Sequence, residues 1–305
     1  VYKRQGLGRT EAAAVVARRV LDRQGPAGDP IARSLACQVL ASTLAGATGA
    51  EDAVGLAHQA VREATRMGTW EAFRRHPHAT YARALADAGR PDEALVALSE
   101  GRALADRLTT AWDDSAYHAT SAIITTRLGR WQEAEQHLDL GLEAVAQSGA
   151  VVPGVDLHAT RMVIALARGD LDTASSALDA AVHLLGDRPA RSVPGLCRSW
   201  GALLEARGDL AGARDRLMDV WEARPASLWI NAGPALIRVV QQTDGVASPV
   251  ATEVATAVAE QAAATGAPWI AAHAVAGPSA PVCRSTVIHA RLPSTKSRVA
   301  SITRP

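Results

Sequence analysis

One turn recurs along this chain, and its spacing restricts the fold more than any other feature. The copies are Ala88-Gly89-Arg90-Pro91-Asp92-Glu93-Ala94, Leu128-Gly129-Arg130-Trp131-Gln132-Glu133-Ala134, Arg168-Gly169-Asp170-Leu171-Asp172-Thr173-Ala174 and Arg207-Gly208-Asp209-Leu210-Ala211-Gly212-Ala213. The glycines step by 40, 40 and 39 residues. The same step backwards reaches Thr48 and Gly8, and a weaker copy begins at Gly245. An alanine stands five places after each of the six earlier positions: Ala13, Ala53, Ala94, Ala134, Ala174 and Ala213. A fixed period of this length marks a stack of supersecondary units, each burying its apolar face against its neighbours.

Physical chemistry assigns each part of the turn a role. Glycine tolerates φ > 0 and ends a helix. Proline or aspartate just after it favours the start of the next helix. The small alanine lets two antiparallel helices approach closely. Each unit therefore reads as a helix, a short turn and a second helix. First helices are expected over 31–45, 75–88, 112–128, 154–168, 193–207 and 228–241. Second helices are expected over 10–22, 51–67, 91–107, 131–147, 170–185, 209–223 and 249–265. Breakers separate the units: Gly25-Pro26, Gly68, Gly149 with Pro153-Gly154, Gly186 with Pro189, Pro225, and Gly266 with Pro268. The expected fold class is all-α, a right-handed α-solenoid of stacked helix-turn-helix hairpins with a period of about 40 residues.

Composition agrees. Alanine supplies about one residue in five, only eleven residues are aromatic, and 21% are charged. No run of about 18 apolar residues exists, so no membrane-spanning helix and no membrane partner are expected. Cys37, Cys197 and Cys283 are far apart and make no CxxC or zinc-knuckle spacing. That pattern argues against a disulfide framework and for a reducing cytoplasm.

The two ends differ from the middle. The only lysines are Lys3 and Lys296. Val1-Tyr2-Lys3-Arg4-Gln5 resembles the read-through translation of a transposon-based sequencing adapter, so residues 1–5 are expected to be a non-native junction. Residues 6–276 carry the repeat. Residues 277–305 hold five basic residues, four prolines, eight serines or threonines and no acid. That composition is expected to be a disordered basic tail. A frameshifted end is one reading of it and a native tail the other. The whole chain has net charge +1, but without these ends 25 basic residues face 31 acidic ones, a net charge of −6.

A second column lies eleven residues before each turn: Cys37, His78, His118, His158 and Cys197. His-Ala-Thr recurs at 78–80, 118–120 and 158–160. A metal ladder would need three or four ligands within about 2.0–2.3 Å of one ion. Equivalent residues on stacked helices are separated by about 8–10 Å. The column is therefore read as a structural polar contact between adjacent first helices, and no metal is expected. His76-Pro77-His78 is a lone HxH and does not make a site. Gly6-Leu7-Gly8-Arg9-Thr10 lacks the lysine and upstream glycine of a phosphate loop. Asp113-Asp114 fits capping at a helix start. No nucleophile or zinc-protease motif appears, so catalysis is not expected.

Eight residues before the turn the column varies: Tyr81, Ser121, Arg161 and Trp200. First helices commonly line the concave face of two-helix solenoids. A varied column of aromatic and arginine side chains suits ligand recognition there. Tyr117, Arg198, Trp229 and Asn231 are candidates for the same groove. Trp70, Trp112, Trp131, Trp221 and Trp269 fall at helix starts or junctions and are read as packing residues.

The repeated Gly-Arg/Asp-x-x-x-Ala turns, the 40-residue step and the lysine-free, Ala/Arg-rich body resemble the tetratricopeptide-like region of large ATP-binding LuxR-family transcriptional regulators. Gly266-Ala267-Pro268-Trp269-Ile270-Ala271-Ala272-His273-Ala274 looks like a late repeat of that region. The resemblance implies a sensor solenoid that binds a protein, a peptide or a small-molecule inducer. It implies ATP only in an N-terminal module and DNA only through a C-terminal helix-turn-helix module. Neither the Walker lysine nor a helix-turn-helix is found in this sequence, so the chain is expected to be a fragment. A freestanding tetratricopeptide-like adaptor remains the other reading.

Overall fold

Each repeated glycine ends its helix in the way the turn chemistry requires. Gly89, Gly129, Gly169 and Gly208 have φ of 78°, 70°, 75° and 79°. The next residue's N–H then reaches back five residues: Arg90 to the Leu85 carbonyl, Arg130 to Thr125, Asp170 to Ala165 and Asp209 to Leu204, each at 2.9 Å. This backward bond satisfies a carbonyl that the end of the helix would leave orphaned. The following helix starts at once. Asp170 accepts from the Thr173 N–H at 2.9 Å and Asp209 from the Gly212 N–H at 2.9 Å. Pro91 opens its helix at a position that needs no N–H.

The computed structural model describes residues 10–44, 50–69, 73, 76–108, 114–223 and 228–265. Gly8, Thr48, Trp70, Trp112 and Trp269 lie outside them. Thirteen α-helices follow one another among the described residues. They are α1 (Thr10–Gln24), α2 (Pro30–Leu44), α3 (Ala50–Met67), α4 (Pro77–Asp87), α5 (Pro91–Arg107), α6 (Asp114–Arg127) and α7 (Trp131–Ser148). Then come α8 (Val151–Arg168), α9 (Leu171–Leu185), α10 (Pro194–Ala206), α11 (Leu210–Ala223), α12 (Leu228–Asp244) and α13 (Pro249–Thr265). A 3-10 turn, Ala190–Ser192, joins α9 to α10. The helix boundaries fall within three residues of the sequence expectation.

The helices pack as antiparallel pairs: α2 with α3, α4 with α5, α6 with α7, α8 with α9, α10 with α11 and α12 with α13. First helices also touch the first helices before and after them, whereas each second helix from α3 to α11 packs on the next first helix. The result is two layers, with the even-numbered helices inside. The alanine column makes close packing possible: Ala13, Ala53, Ala94, Ala134, Ala174 and Ala213 are all completely buried. The core is a series of clusters rather than one centre. Leu85 and Leu98 anchor the cluster of α2–α6, Leu157 that of α6–α8, Leu196 and Leu203 that of α8–α10, and Leu217 with Leu236 that of α10–α13.

Pro153-Gly154, expected as a breaker, is instead the first turn of α8, which begins at Val151. A proline is tolerated there because the first N–H groups of a helix have no partner within it. Gly154 is needed for contact: a Cβ there would lie 3.0 Å from side chains of Leu184 and Val145.

Candidate interaction groove

In the histidine column His78 and His118 are buried and His158 is half-buried, and the ring contacts of His78 and His118 are not with adjacent first helices. Nδ1 of His118 lies 2.9 Å from Nδ1 of His137 on α7, its own second helix. His78 stacks on Phe73 with centroids 6.0 Å apart. Cys37 and Cys197 are fully buried thiols, and burial pushes them up to about 11 and about 12. Contact between first helices is made two residues further on. Thr80 donates to the side-chain carbonyl of Gln38 at 3.3 Å, and Ser199 to the Ala159 carbonyl at 3.1 Å. A two-residue step turns a helix by about 200°, which separates the two roles.

Burial holds these imidazoles neutral. It pulls His78 down to about 4. His118 also falls to about 4, through burial first and then the charges of His137 and Arg102, with Asp114 opposing. His137 and His158 shift in the same direction, again through burial first. Among the described residues, no three His, Cys, Asp or Glu side chains converge as metal ligands.

The varied column points to the second helices. Tyr81 stacks on His58 of α3 with centroids 5.2 Å apart. Arg161 pairs with Asp139 of α7 at 2.6 Å. The guanidinium of Arg216 on α11 lies over the Trp200 ring, 4.5 Å from its centroid. Ser121 is buried. These residues make separate contacts between helix layers and are not brought together into one groove. Tyr117 packs beside His118 and His137 under the guanidinium of Arg102, 4.9 Å from its ring. Trp229 and Asn231 fall on α12, with side chains outside the described residues. Trp221 is buried and Trp131 lies against the α6–α8 cluster, as expected of packing residues.

The inner surface is formed by a different stripe, two residues away on each first helix. Arg83 on α4 reaches Asp156 on α8 at 3.9 Å, across one intervening hairpin. Side chains of alternate hairpins can meet only on the concave side. Asp87, one turn after Arg83, pairs with Arg127 of α6 at 2.6 Å. Half-buried Ile123, Val163 and Ala202 occupy the Arg83 position on α6, α8 and α10. Arg198 stands one turn before Ala202, at a position where α6 and α8 carry the buried core residues Ala119 and Ala159. Sequence reasoning named Arg198 but missed Arg83, Asp87, Arg127 and Asp156. A signal was present: Asp87 and Arg127 have opposite charges at one repeat position.

No family model matches the sequence, and no curated protein matches it either. Solved structures do. The Cut9 chain of the APC/C hetero-tetramer Cut9–Hcn1 superposes with a TM-score of 0.51 at 14% identity, covering 89% of this chain and 46% of its own. The fold is a tetratricopeptide-like α-solenoid. This chain spans about half the length of that neighbour. BtubC (BKLC) from P. vanneervenii aligns at 16% identity with a TM-score of 0.49, over 70% of this chain and 93% of its own. Among the described residues, no helix is long and apolar enough to cross a membrane.

Proposed function

We propose that this tetratricopeptide-like solenoid is a non-catalytic scaffold that docks a partner protein or peptide on the concave face of its first helices. The observation that carries this reading is the Arg83–Asp156 approach at 3.9 Å. It brings side chains of alternate hairpins together on the concave side, beside half-buried Ile123, Val163 and Ala202, a mixed apolar and charged surface that suits an extended segment. Docking is tested by hydrogen exchange with peptides selected from a random display library. Protection confined to α4, α6, α8 and α10 is expected. Protection only on α5, α7 and α9 would place binding on the outer layer and overturn the reading.

The sequence resemblance supports a finer form of the same proposal. The solenoid is the signalling region of a LuxR-type regulator, and groove occupancy biases adjoining ATP- and DNA-binding modules by shifting the hairpin stack between conformations. Long-read sequencing of the source DNA decides. An ATP-binding module upstream and a helix-turn-helix downstream are expected. Start and stop codons flanking residues 6–276 would favour the freestanding adaptor.

A further inference from the structure

The Arg83–Asp156 pair is loosely made. Nη2 of Arg83 lies 3.9 Å from Oδ2 of Asp156, too far for a hydrogen bond. Among the described residues, neither side chain has another polar partner. Three pairs between successive hairpins close to hydrogen-bond distance: Arg127 with Asp87 at 2.6 Å, Arg130 with Asp92 at 2.7 Å and Arg238 with Glu205 at 2.5 Å. The open pair is also within reach of a partner, since 38% of the Arg83 side chain and 25% of the Asp156 side chain remain exposed. Burial pushes the Asp156 carboxyl up, and Arg83 opposes that shift. The carboxylate is therefore short of donors. Gly195 of α10 leaves its flank uncovered, at a point where a Cβ would come within 3.7 Å of Oδ1.

The two charges cancel, so their complement is a neutral group with one donor and one acceptor. A carboxylate brought here would meet Asp156, and an ammonium would meet Arg83. A carboxamide meets neither objection. Its nitrogen and oxygen are about 2.2 Å apart, from bonds of about 1.33 and 1.23 Å. The oxygen accepts from Arg83 and the N–H donates to Asp156. Two bonds of about 2.9 Å span from that edge to groups 3.9 Å apart with a splay of about 17° each. Both bonds are charge-assisted. Asn and Gln side chains carry the two atoms on one edge. Both groups of the pair are more than half covered, so a side-chain tip reaches them where a backbone carrying its own side chains is held off. Half-buried Ile123 and Val163, at the Arg83 position of α6 and α8, offer apolar surface to the rest of the segment.

We propose that Arg83 and Asp156 form a carboxamide clamp that takes an Asn or Gln side chain of the partner segment. This inference rests on the docking reading above and adds the chemistry of the partner.

The test has two arms. Random peptides are displayed against the wild-type chain, Asp156→Leu and Arg83→Met. Enrichment of Asn or Gln at one peptide position is expected with the wild type and is lost with either variant. Replacing that amide by Asp or by Leu should weaken affinity by about tenfold or more. In parallel, the Arg83 Nε–H and Asp156 carboxyl-carbon resonances are followed while acetamide, acetate or methylammonium is added at constant ionic strength. Acetamide should move both resonances together, and the Arg83 shift should vanish in Asp156→Leu. Neither variant should melt much below wild type, because a part-exposed pair at this distance contributes little. A marked fall in both would make the pair structural and overturn the clamp. Peptides selected without Asn or Gln enrichment, or enriched in Lys or Arg instead, would overturn the clamp and leave groove docking standing. A peptide that keeps its affinity when the amide becomes Leu, but loses it on backbone N-methylation there, would give the pair to main chain and overturn the side-chain assignment. A response of Arg83 to acetate or of Asp156 to methylammonium, with none to acetamide, would overturn the carboxamide assignment. If no peptide is retained, docking fails, and the acetamide titration alone then decides the clamp: no joint shift ends it.

Discussion

At Gly129 the backbone has φ 70° and a Cβ would meet nothing within 4 Å. At Gly141 on α7 a Cβ would lie 2.8 Å from both terminal methyls of Leu157 and 3.0 Å from Cβ of His118. Backbone conformation requires the first glycine, and helix contact requires the second. Gly129→Ala should therefore cost about 1–2 kcal/mol through left-handed strain, and Gly129→Asn less. Gly141→Ala should cost about 1–3 kcal/mol, because fully buried Leu157 has little room to move. Urea melts of the three variants check this. Equal destabilisation by Gly129→Asn and Gly129→Ala would contradict the strain explanation. The repeat period exposed Gly129 because a turn glycine recurs at every step. Gly141 lies outside the turns; Gly101 stands 40 residues earlier at the same repeat position, but the reason for a glycine there, the Leu157 side chain of a neighbouring helix, is visible only in the fold.

At the scale of the element, the α6–α7 hairpin carries a pH dependence. His118 and His137 share a hydrogen bond of 2.9 Å, so one nitrogen donates and the other must be unprotonated. His118 and His78 are held at about 4, below the ordinary 6.5. The unfolded chain takes up these protons first as pH falls. Their contribution is therefore complete above about pH 6.5 and is lost progressively toward pH 4. The ceiling is about 3.5 kcal/mol for each histidine, from about 1.4 kcal/mol per pH unit. Melting temperature should fall over that interval, and less steeply in His118→Gln. An unchanged slope in the variant would remove the pair as the cause. Helix order and ends were legible from the turns, because glycine, proline and aspartate act locally. Column orientation was not. Period alone fixes which residues repeat, and a two-residue choice between stripes requires knowing which side meets the second helix. Tyr81 and Arg161 were therefore expected in the groove but lie against α3 and α7. The same limit left Asp156 unread, because its partner Arg83 lies in a hairpin two repeats earlier.

At the scale of the whole molecule, stability should be carried by neighbours. The cluster of α10–α13 around Leu217 and Leu236 shares no residue with the cluster of α2–α6 around Leu85 and Leu98. In such a stack, each hairpin's stability is its own plus the terms at its two interfaces. Leu217→Ala should remove about 2–5 kcal/mol from the α10–α13 end, where the side chain is completely buried. Hydrogen-exchange protection should fall in α10–α13 and persist in α4 and α5. A uniform loss would show that the solenoid opens as one cooperative unit. Groove occupancy changes this expectation in a definite direction. The Arg83–Asp156 pair already bridges α4 and α8, and a segment lying along the inner stripe to α10 would connect hairpins that otherwise communicate only through their neighbours. A bound peptide should therefore restore protection in α10 of Leu217→Ala more than in α13, which lies beyond the inner stripe. Equal recovery in both helices would place the stabilising contact at the far end of the stack instead.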